Sequence, residues 1–118
     1  MKRLLQGVRA EAFVRVNDRT AGHPMKLALG LGYRIPGNLR IVGIDDVEYA
    51  KLLPVPLTTI HQPCREIGQA ARAAMLQRIE QPNMPARDIL LDCELVIRES
   101  CGGAFTVSHQ GAETEATP

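Results

Sequence analysis

The chain has 118 residues, 45% hydrophobic and 23% charged, with a net charge of +1, enough for one domain with a real core and no more. That balance offers no basic face of the kind nucleic acid demands, and 3% aromatic residues with no Trp leave few stacking platforms for bases or sugar rings. No apolar stretch approaches the roughly 20 residues of a membrane span, and the start Met1-Lys2-Arg3-Leu4-Leu5 lacks the apolar run of a signal peptide, so a soluble cytoplasmic protein is expected.

Residues 2–6 read as the last turns of a helix closed by Gly7. Residues 12–16 are apolar apart from Arg15, as in a strand buried on both faces. From Asp18 to Leu31 the apolar residues Ala21, Met25, Ala28, Leu29 and Leu31 recur at helical spacing, and Gly32 supplies the stop. Pro24 is awkward there, because proline lacks a donor and clashes one turn back; a start near His23 or a loose first turn is the expectation.

Residues 40–44 form the second strand, making a βαβ unit with the first. Residues 47–56 hold a short helical turn that Pro54 and Pro56 terminate, and residues 57–61, with Thr58, Thr59 and Ile60, form a third strand. Pro63 suits the first position of a helix whose stripe is Ile67, Ala71, Ala74, Met75 and Ile79, ended by Pro82. In residues 89–98, Leu91, Cys93, Leu95 and Ile97 alternate with polar residues, as in a strand with one solvated side. The last residues, from Gly102, are poor in apolar side chains and read as a disordered tail.

The three central strands each end in polar groups: Asn17-Asp18, Asp45-Asp46 and Gln62. Parallel strands would gather them beyond their carboxyl ends, where open α/β sheets bind ligands. Asn17, Asp45 and Gln62 are the candidate ligand-binding residues, since carboxylates and amides read the hydroxyls of a polyol. Asp18 and Asp46 are expected to act structurally, as caps of the elements that follow them.

Paired acidic residues also allow a magnesium site of the receiver or phosphoryl-transfer type, but no strand-terminal Lys accompanies them. His61 reads as a structural histidine beside the site. No nucleophile elbow or metal-ligand spacing exists, so no catalytic residue, cofactor or metal is assigned and no enzyme is expected. Cys64, Cys93 and Cys101 form no CxxC pair; reduced thiols are expected, with Cys64 and Cys93 in the core.

Taken in order, several segments resemble the lactose/purine repressor (LacI/GalR-type) family of transcriptional regulators. They are Asn17-Asp18-Arg19-Thr20-Ala21, Gly32 with Arg34-Ile35-Pro36, and Ile41-Val42-Gly43-Ile44-Asp45-Asp46. Pro56-Leu57-Thr58-Thr59-Ile60-His61-Gln62-Pro63, Gly68 with Ala71, and Leu95-Val96-Ile97-Arg98-Glu99-Ser100 complete the set.

The resemblance implies an α/β, three-layer, periplasmic-binding-protein-like fold: three short parallel strands with flanking helices and a C-terminal strand. Residues 1–101 would be the C-terminal portion of an effector-binding domain and residues 102–118 a tail. It implies that Asn17 and Asp45 hydrogen-bond a sugar-like or purine effector and that Gln62 lines the same cleft, with His61 and Cys64 beside it. It further implies a homodimer formed through the helix after Asp18 and residues 47–56, with Leu52 and Leu53 as contact candidates.

Nothing in these residues resembles the family's helix-turn-helix headpiece or the first half of its effector domain. A truncated product with one wall of the cleft is therefore expected, reaching operator DNA only through a headpiece absent here. A transport-type sugar-binding protein of the same fold is the alternative.

Overall fold

In the computed structural model, which describes residues 10–103, a four-stranded sheet runs in the order β1 (Ala12–Val14), β2 (Arg40–Asp45), β3 (Thr58–His61) and β4 (Glu94–Val96). The first three strands are parallel, with Val14 opposite Val42 and Asp45 opposite His61, and β4 returns antiparallel with Glu94 opposite His61. The expected helix over residues 2–6 and the tail from residue 104 lie outside the described residues.

Helix α1 (Asp18–Gly30) shows how local chemistry and tertiary packing share the work. Asn17 is extended and its Oδ1 accepts the Thr20 N–H at 2.9 Å, so Asn17, not Asp18, is the N-cap. The helix closes on a Schellman motif: Tyr33 N–H donates to the Ala28 carbonyl, Gly32 N–H to that of Leu29, and Gly32 takes φ +84°. The expected late start is overturned, since the helix begins at Asp18 and runs through Pro24. A helix-interior proline costs about 3 kcal/mol. The Asn17 cap offsets part of this, as does burial of Ala21, Met25 and Ala28 beside a buried Pro24.

Those residues meet Leu39, Ile41, Ala50, Leu53 and Leu57 in one core between α1, the short helix α2 (Tyr49–Leu52) and one face of the sheet. Each large apolar side chain fully buried there contributes about 1.5–3 kcal/mol. Leu53 is thus core, whereas Leu52 is 76% exposed.

The first strand is not buried on both faces, contrary to the pattern of residues 12–16: Val14 and Val16 are 74% and 77% exposed. Among the described residues both α1 and α2 lie over the same side of the sheet, so the alternate side chains of β1 meet no covering layer. Helix α3 (Cys64–Glu80) follows Pro63 as expected and stops before Pro82, yet none of its residues is buried. Cys64 and Cys93, expected in the core, are exposed free thiols, because neither α3 nor the segment before β4 packs into that core. The alternating segment 89–98 forms strand only over Glu94–Val96, with Leu95 exposed on it.

The end of the Leu95–Ser100 segment has a structural role. After β4 the chain makes a short 3-10 turn (Glu99–Cys101). Ser100 is fully buried; its Oγ donates to the Ile41 carbonyl and accepts the Thr58 N–H at 2.8 Å. Thr58 Oγ1 accepts the Arg98 N–H and donates to the Arg98 carbonyl. A buried backbone or hydroxyl group left unpaired would cost about 1–3 kcal/mol, so each of these residue types answers a specific donor or acceptor.

Candidate functional site

The carboxyl edge of the parallel strands carries all three candidate residues. Asn17 lies three residues past Val14, the end of β1, and Asp45 ends β2, three residues past Val14's register partner Val42. Gln62 follows His61, the register partner of Asp45. Gln62 Nε2 donates to Asp45 Oδ1 at 2.7 Å, bringing two of the three into contact. The third, Asn17, has its Oδ1 engaged by the helix cap and no described contact with the other two.

The backbone at the end of β2 is unusual. Asp45 has φ +113° and Asp46 φ +54°, conformations in which an L side chain is uncommon. Such backbone is held only when neighbours over-determine it. Here they do. Thr59 Oγ1 accepts the Asp46 N–H at 3.3 Å, and the next N–H, of Val47, donates to Asp18 Oδ2 at 3.0 Å.

Asp18 and Asp46 are structural, but not as caps. Asp18 is completely buried; its second oxygen accepts the Thr59 hydroxyl at 2.7 Å, so it ties α1 to β3 and to the chain leaving β2. Its place in the first turn of α1 also suits a negative charge. Asp46 does not cap α2, whose N-cap position is Glu48. Instead its carboxylate pairs with Arg98 at 2.5 Å and with His61 Nδ1 at 3.1 Å. Arg98 Nη1 donates in addition to the Leu57 carbonyl at 2.9 Å. His61 is therefore a structural partner, as expected. Thr59 and Arg98 are the residues that pattern reading missed, since their roles appear only once strands far apart in sequence are adjacent.

Burial pushes the Asp46 carboxyl up, but hydrogen bonds from Arg98 and His61 and the charges of both outweigh it, holding it below its ordinary value. A group whose folded pKa is depressed stabilises the fold above its unfolded pKa and loses that contribution as pH falls through the folded one. Urea midpoints should accordingly drop below about pH 4, and Asp46→Asn should flatten that acid limb. An unchanged limb in Asp46→Asn would show that other carboxylates carry it.

Among the described residues no group of three His, Cys, Asp or Glu side chains gathers in metal-binding geometry, so the magnesium arrangement is not formed. The edge is open. Two apolar grooves lie elsewhere, one on α1 lined by His23, Lys26, Leu27, Gly30 and Leu31, the other between α3 and residues 87–91. Among the described residues no helix is long and apolar enough to cross a membrane.

Residues 1–101 match the family model described as periplasmic binding protein-like domain. The ribose operon repressor of Haemophilus influenzae is 40% identical over 97 residues, covering 82% of this chain and 29% of the repressor. The chain therefore spans under a third of the length of that relative. The lac repressor dimer bound to operator and the anti-inducer ONPF superposes with a TM-score of 0.73 and 30% identity, over 85% of this chain and 30% of that one. A LacI family transcriptional regulator from Arthrobacter sp. FB24 in complex with lactose gives a TM-score of 0.72 and 26% identity, over 85% and 38%. The chain belongs to the periplasmic binding protein-like domain family, in the form carried by LacI-type transcriptional repressors.

Proposed function

We propose that these residues form one wall of the effector site of a transcriptional repressor, binding a sugar-like small molecule through Asn17, Asp45 and Gln62. The observation that carries the reading is Asp45: a carboxylate at a strand end, on left-handed backbone, joined to Gln62 at the end of the next strand. Sugar-bound relatives of the same fold support a polyhydroxy ligand, and relatives that are repressors favour a regulator over a transport-type binding protein.

Residues 1–101 act in this reading as the effector-binding portion and the remaining residues as a tail. The chain works in the cytoplasm, needs no cofactor and catalyses no reaction. A homodimer forms through the α1 groove and the exposed Tyr49 and Leu52, and ligand binding alters that dimer and so the grip of a DNA-binding headpiece on its operator.

The test is NMR titration of the isotope-labelled 118-residue chain with D-ribose. With one wall the expected affinity is millimolar, and the shifts should centre on Asn17, Asp45 and Gln62. Asp45→Ala should weaken binding about tenfold or more, the worth of a charge-assisted hydrogen bond. Shifts centred elsewhere, or an Asp45→Ala chain that binds as before, would refute the site.

A further inference from the structure

We propose that Asn17 divides its amide between two tasks: Oδ1 caps α1, and this fixes Nδ2 as a preset donor to the effector, opposite in polarity to the Asp45 carboxylate. The proposal rests on the effector reading above and adds the orientation that the edge imposes on its ligand.

Asn17 is pinned without any ligand. Its Oδ1 accepts the Thr20 N–H at 2.9 Å, and its carbonyl accepts the Thr20 hydroxyl at 3.0 Å. The Thr20 N–H belongs to the first turn of α1, where a backbone donor has no partner within the helix. Only the amide oxygen can meet it, because an NH2 group placed there would set donor against donor. The amide plane therefore has one orientation, with its nitrogen turned away from Thr20. Half-buried Asn17 makes no hydrogen bond through Nδ2 among the described residues. The helix needs only the oxygen, since Asp and Ser cap as well as Asn. What Asn adds at this position is the donor.

One strand over, the polarity reverses. Asp45 ends β2, the neighbour of β1, and an ionised carboxylate only accepts. It takes the Gln62 Nε2 hydrogen at 2.7 Å, and among the described residues no cation pairs with it. Gln62 is oriented by the same logic as Asn17: its nitrogen must face the carboxylate, so Oε1 is left as a further acceptor. The edge thus runs from a donor after β1 to acceptors after β2 and β3. A ligand lying across it gives a lone pair to Asn17 and a hydroxyl proton to Asp45. An oxygen that can only accept, such as a sugar ring oxygen, is met at Asn17 and rejected at Asp45. Both amides are set before the ligand arrives, so little side-chain freedom is lost there on binding.

The test titrates the 15N-labelled 118-residue chain with D-ribose and compares two variants. In the parent, the Nδ2 protons of Asn17 should shift while the Thr20 amide proton moves far less, because the cap stays closed. Asn17→Asp keeps a capping oxygen and turns the donor into an acceptor. Asn17→Ser keeps a capping oxygen and removes the amide without adding charge. Both should hold the urea midpoint of the parent. Asn17→Ser should weaken ribose binding about tenfold, and Asn17→Asp further, since its carboxylate opposes the lone pair of the ligand.

Ribose binding unchanged in both variants overturns the donor role and leaves Asp45 and Gln62 as effector contacts. Shifts at those two residues with none at the Asn17 Nδ2 protons do the same. An Asn17→Asp chain that binds better than Asn17→Ser overturns the polarity. A midpoint that falls in both variants gives the whole amide to the fold and overturns the division of tasks. A parent in which ribose moves none of the three residues overturns the effector reading, and the donor role with it.

Discussion

Asp18→Ala should lower the unfolding free energy by about 2–5 kcal/mol, the largest loss expected from any single side-chain truncation at the carboxyl edge. The residue is fully buried, and each of its oxygens takes a hydrogen from a different element, the Val47 N–H and the Thr59 hydroxyl. Truncation leaves the buried Thr59 hydroxyl and the part-buried Val47 N–H without an acceptor, at about 1–3 kcal/mol for the first and less for the second. It also removes the favourable charge from the first turn of α1, worth about 0.3–1 kcal/mol. Asp18→Asn keeps one carbonyl acceptor and should lose about half as much. Urea unfolding followed by circular dichroism measures both; a loss under about 1 kcal/mol for Asp18→Ala would mean that these donors find other partners.

Gly43→Ala should be nearly as damaging, and for a connected reason. A Cβ at Gly43 would lie 2.1 Å from Asp18 Oδ1 and 2.8 Å from Leu57 Cδ2. Neither neighbour yields easily: Asp18 is tethered by its two hydrogen bonds, and Leu57 is a completely buried core residue. Overpacking of this kind costs about 1–3 kcal/mol, with the upper end expected here. The shared atom makes the pair non-additive. In Asp18→Ala/Gly43→Ala the shorter contact is gone, so the double variant should lose at least about 1 kcal/mol less than the sum of the singles. Strict additivity would locate the strain at Leu57 instead.

Much of this arrangement was legible in the chain because it is locally encoded. Gly32 after a helical period, Pro63 before one and β-branched Thr58, Thr59 and Ile60 each carry a backbone preference that the fold uses unchanged. Strand-terminal Asn17, Asp45 and Gln62 were readable as a group because parallel strands share one carboxyl edge.

What was not legible depends on partners distant in sequence. Pro24 looked incompatible with its helix because the burial that offsets it is tertiary. Asp18 and Asp46 looked like caps because their acceptors' true donors, Thr59 and Arg98, come 41 and 52 residues later. Val14, Cys64 and Cys93 carried apolar patterns for which the described residues supply no covering layer.

The bonds made by Arg98 and Ser100 have a consequence for how the protein is made. Ser100 satisfies the Ile41 carbonyl 59 residues upstream and Thr58 42 residues upstream, and Arg98 neutralises Asp46. On a ribosome, β1, α1 and β2 emerge and meet first, while the acceptors they leave open wait for the Glu99–Cys101 turn. Long-range closures of this kind are slow and leave partly folded chains exposed. The nascent chain is thus exposed to chaperones and proteases until Arg98 and Ser100 have emerged and made these contacts.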